Sequence, residues 1–382
     1  MENRKVNLIF GIMSLFLVAG IIWGISSIIK TDDRAQGEQE QQTTEIPIET
    51  AYAAMDNTME ATTQAEITEE VTEEVTETPT EELTVEDDQE APIFLTFSNT
   101  CEIKQGDTFD IHDYIGYGDD VDRSPVLSVD GTVDTAVPGT YPLTLTLADA
   151  AGHVTKADMK VNVVSEVTSY QGGSKMEFDT FSANYKTEDT VLGIDVSRWQ
   201  EDIDFVQVKN AGCDFVIIRI GGYDDGSQYV DKYYQTNIRN AKAAGLLVGV
   251  YWHAEESSVQ EVKNNVAYMM EILDGETLDF PIAYDWEDFS GFQNYGMNLN
   301  DLNTCFETFC DEVKLYGYDA CLYSSKNFLE NVWENKYQHP VWLANYTSQT
   351  TYTGEYFMWQ QGNTGRIAGI GTDVDFDIWY RK

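Results

Sequence analysis

The sequence predicts an α/β protein with three parts: an N-terminal transmembrane helix, a small all-β sandwich and a larger, irregular β/α barrel of the TIM type. Three observations predict this. An uncharged apolar run lies near the N-terminus, residues 92–165 alternate with the period of strands, and residues 190–382 alternate between short apolar strands and helical stretches. The chain of 382 residues has room for about two or three domains.

Residues 1–30 are predicted to form a cytoplasmic tip and a transmembrane anchor. Two basic residues precede the apolar run at residues 6–29, and Lys30 closes it. As a helix this run would be about 36 Å long, enough to cross a bilayer. It is longer than the apolar region of a cleavable signal, although cleavage near Ala35 stays open. The basic tip would remain in the cytoplasm, so we expect a single-pass protein of the cell membrane with residues 31–382 on the extracellular, cell-wall side.

Residues 31–91 are predicted to be an acidic, disordered linker. They are rich in Thr, Glu and Gln, with Arg34 as their one basic residue. Such a segment buries too little apolar surface to offset its ordering entropy, and its charges repel one another. A second, short linker is expected at residues 166–189. The net charge of −43 argues against a nucleic-acid partner, which would require a basic patch.

Residues 92–165 are predicted to fold as a small β-sandwich. Alternating runs at residues 141–147 and 159–163 have the period of strands, and the turns around them are rich in Gly and Asp. The Pro-Gly-Thr-Tyr turn at residues 138–141, with the Asp- and Gly-containing turn at residues 148–153, resembles the bacterial immunoglobulin-like domains of surface proteins. About seven strands fit this length. The resemblance implies a spacer or an adhesive module.

Residues 190–382 are predicted to contain eight strands with helices between most of them. The candidate strands are residues 191–196, 215–220, 246–252, 280–284, 320–323, 341–344, 356–360 and 376–380. The candidate helices are residues 206–211, 231–244, 257–273 and 302–316. Alternating strands and helices favour a parallel barrel. Because the last strands lack helices between them, we expect an irregular one.

Two carboxylates, Asp285 and Glu287, lie two residues apart at the end of the fourth candidate strand. Side chains at positions i and i+2 of a strand point to the same side, so both acids are expected to project together. The charge of one carboxylate raises the pKa of the other, which gives a proton donor beside an anion. Glycoside hydrolysis uses this pairing.

Other strand ends are predicted to bring polar side chains to the same face of the barrel. Asp195 closes the first strand, and Asp375 begins the last. Arg219 ends the second strand, while Tyr251 and His253 end the third. Because catalytic residues of β/α barrels lie at the C-terminal ends of the strands, we expect these side chains to line one site.

Residues 191–382 resemble the glycoside hydrolase family 25 lysozymes, the Chalaropsis-type muramidases. The matching segments occur in family order at residues 193–197 (GIDVS), 215–219 (FVIIR), 249–253 (GVYWH), 281–287 (PIAYDWE), 341–344 (VWLA), 358–360 (MWQ) and 374–377 (VDFD). The family usually has Tyr-His-Phe in the third strand, where this chain has Tyr-Trp-His at residues 251–253. The role of His253 is therefore open.

The resemblance implies an extracellular enzyme that hydrolyses the β-1,4 bond between N-acetylmuramic acid and N-acetylglucosamine in peptidoglycan. It implies four catalytic carboxylates: Asp195, Asp285, Glu287 and Asp375. Glu287 would be the general acid, and Asp285 would be the anion that stabilises charge and orients the substrate's acetamido group, as in related families. Whether the reaction retains or inverts the anomeric configuration stays open. Asp195 and Asp375 would hold hydrogen bonds and tune pKa values.

Sugar-binding residues are predicted among the aromatic side chains of the strands. Tyr251, Trp286, Trp342 and Trp359 are candidates for stacking on sugar rings, with core packing as an equal alternative for Trp359. Arg219 is expected either to contact a substrate carboxylate or to form a buried salt bridge with one of the acids.

A catalytically inactive cell-wall-binding protein with a lysozyme-like domain is the alternative function. A wall amidase or peptidase would need zinc ligands or a Cys–His pair, and the domain offers only His253 and His339 without ligand spacing. We expect no metal and no cofactor. The expected partners are peptidoglycan glycan strands and the membrane, and the protein is expected to be a monomer. The five cysteines are predicted to be small buried hydrophobes.

Overall fold

The structure, a computed structural model, describes residues 84–167, 175–334 and 338–381. The predicted anchor at residues 1–30 and most of the predicted linker at residues 31–91 lie outside these residues. Within the described part of the chain, no helix has the length and apolar character needed to cross a membrane. The anchor therefore stays a prediction.

The sandwich consists of two sheets over an apolar core. Its strands are β1 (Ile93–Thr96), β2 (Thr100–Lys104), β3 (Gly116–Gly118), β4 (Val126–Asp130), β5 (Gly139–Ala148) and β6 (Val154–Val164). Strand β1 pairs with β3, and the other sheet has the order β2-β6-β5-β4. Along β5, Leu143, Leu145 and Leu147 are buried, and the threonines between them face away from the core. The described residues thus contain six strands, where about seven were predicted.

The second domain contains a closed ring of eight strands. The strands from residue 176 onward are β7 (Met176–Glu177), β8 (Thr190–Val196), β9 (Phe215–Asp224), β10 (Ser227–Val230), β11 (Leu247–Ala254), β12 (Ile282–Trp286), β13 (Ala320–Ser325), β14 (Val341–Ala344), β15 (Met358–Arg366) and β16 (Val374–Tyr380). The order around the ring is β9-β11-β12-β13-β14-β15-β16-β8, and β8 pairs again with β9 to close it. Strand β10 forms a hairpin with β9 outside the ring.

The ring is parallel except at β16, which runs antiparallel to both of its neighbours, β15 and β8. The first residues of β16 therefore lie at the end of the barrel where the other strands finish. An antiparallel neighbour needs only a short connection, and no helix lies between β15 and β16. This reversal is the irregularity that the missing helices predicted.

Six helices are present in the described residues. They are α1 (Phe178–Tyr185), α2 (Phe205–Asn210), α3 (Tyr234–Ala243), α4 (Val259–Leu273), α5 (Leu299–Leu315) and α6 (Lys326–Asn331). The four predicted helices correspond to α2 to α5. Helix α5 starts at a capping box, in which Asn298 and Asp301 accept each other's backbone N–H. The buried faces of the longer helices pack on the outer side of the strands.

Helix α1 corrects the prediction of a short linker at residues 166–189. Phe178 and Phe181 are buried, and their ring centroids lie 5.3 and 4.7 Å from that of Phe376 on β16. Two aromatic side chains three residues apart share one face of a helix, which explains why this short helix packs on the barrel. Residues 178–185 therefore belong to the barrel domain.

The sandwich contacts the barrel at the start of α5. The carbonyl of Asp119 accepts a hydrogen bond from the backbone N–H of Leu299 at 2.8 Å. The carbonyl of Val121 accepts one from the side-chain amide of Asn298 at 2.7 Å. The first N–H groups of a helix have no partner within the helix, so the loop after β3 satisfies groups that α5 leaves free.

Candidate active site

The four predicted carboxylates converge at one end of the barrel. Side chains alternate along each strand, so every second residue faces the inside of the ring. The inward-facing polar residues at this end are Asp195, Arg219, Tyr251, His253, Asp285, Tyr323, Gln360, Asp375 and Asp377. Glu287 lies on the same side of β12 as Asp285, just beyond the end of the strand.

Asp195 is the centre of a hydrogen-bonded group. It lies directly opposite Asp375 in the pairing of β8 with β16. Gln360 on β15 donates from Nε2 to Oδ2 of Asp195 at 2.7 Å. Oε1 of Gln360 accepts from the hydroxyls of Tyr323 and Tyr346, both at 2.8 Å. The two hydroxyls thereby fix the amide so that its donor points at Asp195.

Asp195 and Asp375 share a proton. Their carboxyl groups are in hydrogen-bond contact, which requires one of the two to be protonated. Burial, followed by the charges of Asp195 and Glu287, raises the pKa of Asp375 well above its usual range. Burial raises the pKa of Asp195 only to about 6, because hydrogen bonds from Gln360 and the neighbouring carboxyls oppose it. The hydrogen bond from Gln360 favours the charged form of Asp195, whereas the pKa of Asp375 is raised further by its acidic neighbours.

Asp377 is a site residue that the sequence analysis missed. It is fully buried, and Oδ1 accepts a hydrogen bond from Nε1 of Trp342 at 2.9 Å. Burial and the charges of Asp195 and Asp375 raise its pKa well above the usual range. Oδ2 has no donor among the described residues, as expected for a protonated carboxyl that donates to Asp195. The spacing of two residues from Asp375 could have identified it, since both must face inward.

Asp285 and Glu287 differ in their access to solvent. Asp285 is 5% exposed and lies between His253 on β11 and Tyr323 on β13 in register. The side chain of Glu287 is exposed to solvent, although many protein atoms lie near its carboxyl group. Burial raises the pKa of both groups, that of Glu287 to about 7 and that of Asp285 well above its usual range. The charge of Asp195 acts in the same direction on each.

Asp285 and Asp195 differ in the hydrogen bonds that their carboxyl groups receive. Asp285 was expected to be ionised beside a protonated Glu287. Oδ1 of Asp285 is buried without a donor among the described residues, whereas Asp195 receives several hydrogen bonds. Hydrogen bonds to the charged form favour ionisation. The described hydrogen bonds therefore favour the charged form of Asp195 more than that of Asp285, and the part of Asp285 as the anion of the pair stays a prediction.

Arg219 supplies positive charge to the site. It is 4% exposed, and its Nε donates to Oδ2 of Asp231 at 2.9 Å. The predicted buried salt bridge is present, but its partner is not one of the four site carboxylates. The guanidinium charge lowers the pKa of Asp195, Asp285 and Glu287, and thus opposes part of the effect of burial.

His253 is a neutral imidazole in this site. It is 7% exposed, and its Nδ1 has no partner among the described residues. Burial, then the charges of Arg219 and Arg198, lowers its pKa to about 3. It therefore carries no charge near neutral pH, which argues against a role as general acid.

Trp286 and Trp359 do not face the site, so their prediction as sugar-stacking residues is wrong. Trp286 is completely buried and donates from Nε1 to the carbonyl of Glu256 at 3.2 Å. Trp359 is 4% exposed and donates to the carbonyl of Asn345 at 2.8 Å. Each tryptophan follows or precedes an inward-facing residue, and strand alternation turns it towards the outer helices.

Trp342 and Tyr251 do face the inside of the ring, with their ring centroids 6.4 Å apart. Trp342 is only 2% exposed, so it presents no free face to a sugar, and its prediction as a stacking residue is also wrong. Its large ring fills the barrel interior and orients Asp377 instead. Tyr251 is half-buried and remains a candidate for substrate contact.

Trp199 and Tyr346 are exposed aromatic residues that the sequence analysis did not propose. Trp199 follows β8 and is 49% exposed, with the guanidinium carbon of Arg198 4.9 Å from its ring centroid. Tyr346 follows β14 and is 42% exposed. Trp199 lies two residues after the first matching segment, at residues 193–197, whereas Tyr346 lies in a loop without any recognisable pattern.

The comparisons with known proteins agree with the two domains. Residues 194–370 match the family described as Glycosyl hydrolases family 25, and residues 93–163 match the bacterial surface protein Ig-like domain. The first match includes Asp195, Asp285 and Glu287 and ends before Asp375. The predictions of a glycoside hydrolase domain and of an immunoglobulin-like domain are confirmed.

Two curated lysozymes are similar to this chain. The autolytic lysozyme of Clostridium acetobutylicum is 27% identical over 187 residues, which are 48% of this chain and 54% of that protein. Lysozyme M1 of Streptomyces globisporus is 29% identical over 198 residues, which are 48% of this chain and 66% of that protein. The chain thus spans less than two thirds of the length of each relative.

A solved structure is also similar. The modular autolysin LytC from Streptococcus pneumoniae, in complex with a synthetic peptidoglycan ligand, has a TM-score of 0.45 and 23% sequence identity to this chain. The alignment covers 62% of this chain and 56% of LytC.

The raised pKa values predict that the barrel loses stability as the pH rises from about 5 to about 8. A carboxyl whose pKa is higher in the folded state stabilises that state below its unfolded pKa, and this contribution disappears as the pH rises through the folded pKa. For Asp195 and Glu287 the folded values are about 6 and about 7. Asp195→Asn should flatten the decline in Tm, which thermal unfolding at several pH values measures. Asp311→Asn, which changes an exposed residue of α5, is the matched control, and an equal slope in both variants would contradict the argument.

Proposed function

We propose that this chain, which carries a family 25 glycosyl hydrolase domain, is a muramidase that cuts the β-1,4 bond between N-acetylmuramic acid and N-acetylglucosamine in peptidoglycan. One observation carries the proposal: a solvent-accessible carboxyl, Glu287, has a pKa raised to about 7 beside three buried acids. A carboxyl with this pKa is protonated near neutral pH and can protonate a glycosidic oxygen. The lysozymes among its relatives support peptidoglycan as the substrate class.

Glu287 is the general acid in this proposal because it combines a proton with access to substrate. As the glycosidic bond breaks, positive charge develops on the sugar ring. Negative charge on a nearby carboxyl stabilises this positive charge, and we assign that part to Asp285. The interaction then strengthens in the transition state, which is the requirement for catalysis.

Asp285 is also suited to assist the substrate's acetamido group. Its Oδ1 has no partner among the described residues and is free to accept a hydrogen bond from an acetamido N–H. Substrate-assisted hydrolysis of this kind is a known exception to the scheme with two carboxylates. Asp195, which accepts a hydrogen bond from Gln360 and contacts Asp375 and Asp377, would add negative charge to the site.

Sugar binding is assigned to the aromatic residues that remain accessible. Trp199 and Tyr346 stand after β8 and β14 at the end of the barrel that carries the acids, and Tyr251 lies inside the mouth. Aromatic faces pack on the apolar faces of sugar rings, while the polar tips reach hydroxyls. A glycan strand lying across this end would contact all three.

The N-terminal run at residues 6–29 supports a membrane anchor with the barrel on the cell-wall side. An anchor of this kind keeps a wall hydrolase beside its substrate, and the acidic stretch before residue 84 would act as an extended tether. A monomer is sufficient, because all the site residues come from one chain.

Glu287→Gln is expected to lower peptidoglycan hydrolysis about a hundredfold or more, because an amide cannot replace a general acid. The assay is the release of reducing ends from purified peptidoglycan, with product masses that identify the bond cut. Glu271→Gln, an exposed residue of α4, is the control and should keep full activity. Near-normal turnover by Glu287→Gln would contradict the assignment of Glu287 as the general acid. An inactive wild-type protein would favour the wall-binding alternative.

The acetamido mechanism predicts that the first product formed has the β configuration, because two inversions restore the original one. Proton NMR of the fresh reaction distinguishes the anomers before they equilibrate. A substrate without the N-acetyl carbonyl should also be cut poorly. An initial α product would show instead that water attacks directly.

The proposed topology predicts that protease added to intact protoplasts releases a soluble fragment that contains the barrel. Cleavage should fall within residues 31–91, where the chain has little apolar surface to bury. Immunoblotting with an antibody against the barrel domain detects the fragment. Protection of the barrel in intact protoplasts, with cleavage only after lysis, would reverse the orientation.

A further inference from the structure

A second group of carboxylates lies at the junction of the sandwich and the barrel, away from the active site. One oxygen from each of Asp88, Asp119 and Asp120 lies within 4.8 Å of the other two. Asp88 and Asp119 are 4% and 1% exposed. Asp88 belongs to the segment that enters the sandwich, and the other two residues belong to the loop after β3.

Asp119 has one engaged oxygen and one free oxygen. Oδ1 accepts hydrogen bonds from the backbone N–H groups of Val121 and Asp122 at 2.9 and 2.6 Å. Oδ2 is buried and has no hydrogen-bond partner among residues 84–167, 175–334 and 338–381. Oδ1 of Asp120 is in the same situation. Buried carboxylate oxygens without partners are costly, so each requires a proton or a cation.

The nearest charges around these carboxyl groups are negative. Asp88 and Asp119 are buried, and Asp120 follows Asp119 directly in the chain. Three ionised carboxyl groups this close together repel one another, and a cation between them would neutralise that charge.

We propose that Asp88, Asp119 and Asp120 bind a calcium ion at the junction of the two domains. Calcium takes oxygen ligands at about 2.3–2.6 Å, so ligands on opposite sides of the ion lie about 4.6–5.2 Å apart. Three carboxylate oxygens that are all within 4.8 Å of one another fit inside such a shell. Calcium tolerates irregular geometry, whereas magnesium demands a near-ideal octahedron and keeps several waters.

The position of the site indicates a structural role for the ion. The loop that carries Asp119 and Asp120 also contacts α5, through the hydrogen bond from Leu299 to the Asp119 carbonyl and the one from Asn298 to Val121. An ion on this loop would therefore link the segment at Asp88, the sandwich and the barrel. We expect calcium to stabilise the folded protein, because it binds a site that exists only after folding.

A neighbouring group makes zinc the competing ion. Ligand atoms of Asp88, Asp149 and His153 also lie within 4.8 Å of one another. Nδ1 of His153 is already 3.2 Å from Oδ2 of Asp149, and Oδ1 of Asp149 accepts backbone N–H groups. An imidazole ligand favours zinc or another transition metal, whereas the three carboxylates alone favour calcium.

Calorimetric titration of the purified full chain in mild detergent, after treatment with EDTA, tests the proposal. We expect calcium to bind with a dissociation constant of about 10⁻⁴–10⁻³ M or tighter, the range of extracellular calcium modules, and to bind more tightly than magnesium. Thermal unfolding should show a Tm that rises with calcium and falls again with EDTA. No heat and no shift in Tm at calcium concentrations up to about 10 mM would overturn the proposal.

Asp119→Asn separates calcium binding from folding. Its Oδ1 can still accept the two backbone N–H groups, so the variant should fold. It should weaken calcium binding about tenfold or more, since affinity depends on ligand charge. Without calcium its Tm should equal or exceed that of the wild type, because a buried charge has been removed.

Asp130→Asn is the matched control, since it removes one exposed carboxylate of the same domain and should leave calcium binding unchanged. An equal loss of calcium affinity in both variants would show that only the net charge of the protein matters, and this would refute the site. Tighter binding of zinc than of calcium, abolished by His153→Ala and unaffected by Asp119→Asn, would assign the metal to the neighbouring group instead.

Discussion

The pairing of the last barrel strand with the first is the constraint on which the candidate active site depends. Strand β16 runs antiparallel to β8, which places Asp375 directly opposite Asp195. The reversal brings the beginning of β16 to the end of the barrel where Asp285 and Glu287 emerge. If β16 were parallel, Asp375 would lie at the opposite end of the ring. The packing of Phe376 against Phe178 and Phe181 of α1 holds this strand in place.

The same pairing creates an electrostatic conflict, which the site resolves with protons. Asp195, Asp285 and Asp377 are buried together beside a half-buried Asp375, and the guanidinium of Arg219 opposes the charge of Asp195 and Asp285. Ionising all of them would cost far more than the hydrogen bonds return. Hydrogen bonds favour the charged form of Asp195, while burial raises the pKa of its acidic neighbours. A site that combines carboxyls of raised pKa with one accessible acid, Glu287, can stabilise a sugar ring that becomes positively charged in the transition state.

The sequence allowed prediction of the barrel, its irregular end and four of its carboxylates, because strand period and strand ends are local features. The antiparallel direction of β16 was not predicted. The same alternation that paired Asp285 with Glu287 should have turned Trp286 outward, since it lies between them. It should also have included Asp377 beside Asp375. Burial and ordering of protons were beyond reach, because they depend on partners distant in sequence, such as Gln360 and Asp195. Helix α1 was missed because only its contacts with β16 make that short segment a helix.

Direct observation of carboxyl protonation is the sharpest test of this account. Carbon-13 NMR of the chain labelled at its Asp and Glu carboxyls, followed over pH, reports each group's protonation. The account predicts that Asp195 and Glu287 titrate near 6 and 7, and that Asp375 and Asp377 keep their protons to a higher pH than exposed aspartates do. Substitution of each residue by its amide assigns the signals. If all these carboxyls lost their protons below about pH 5, like exposed acids, the shared-proton site would be contradicted.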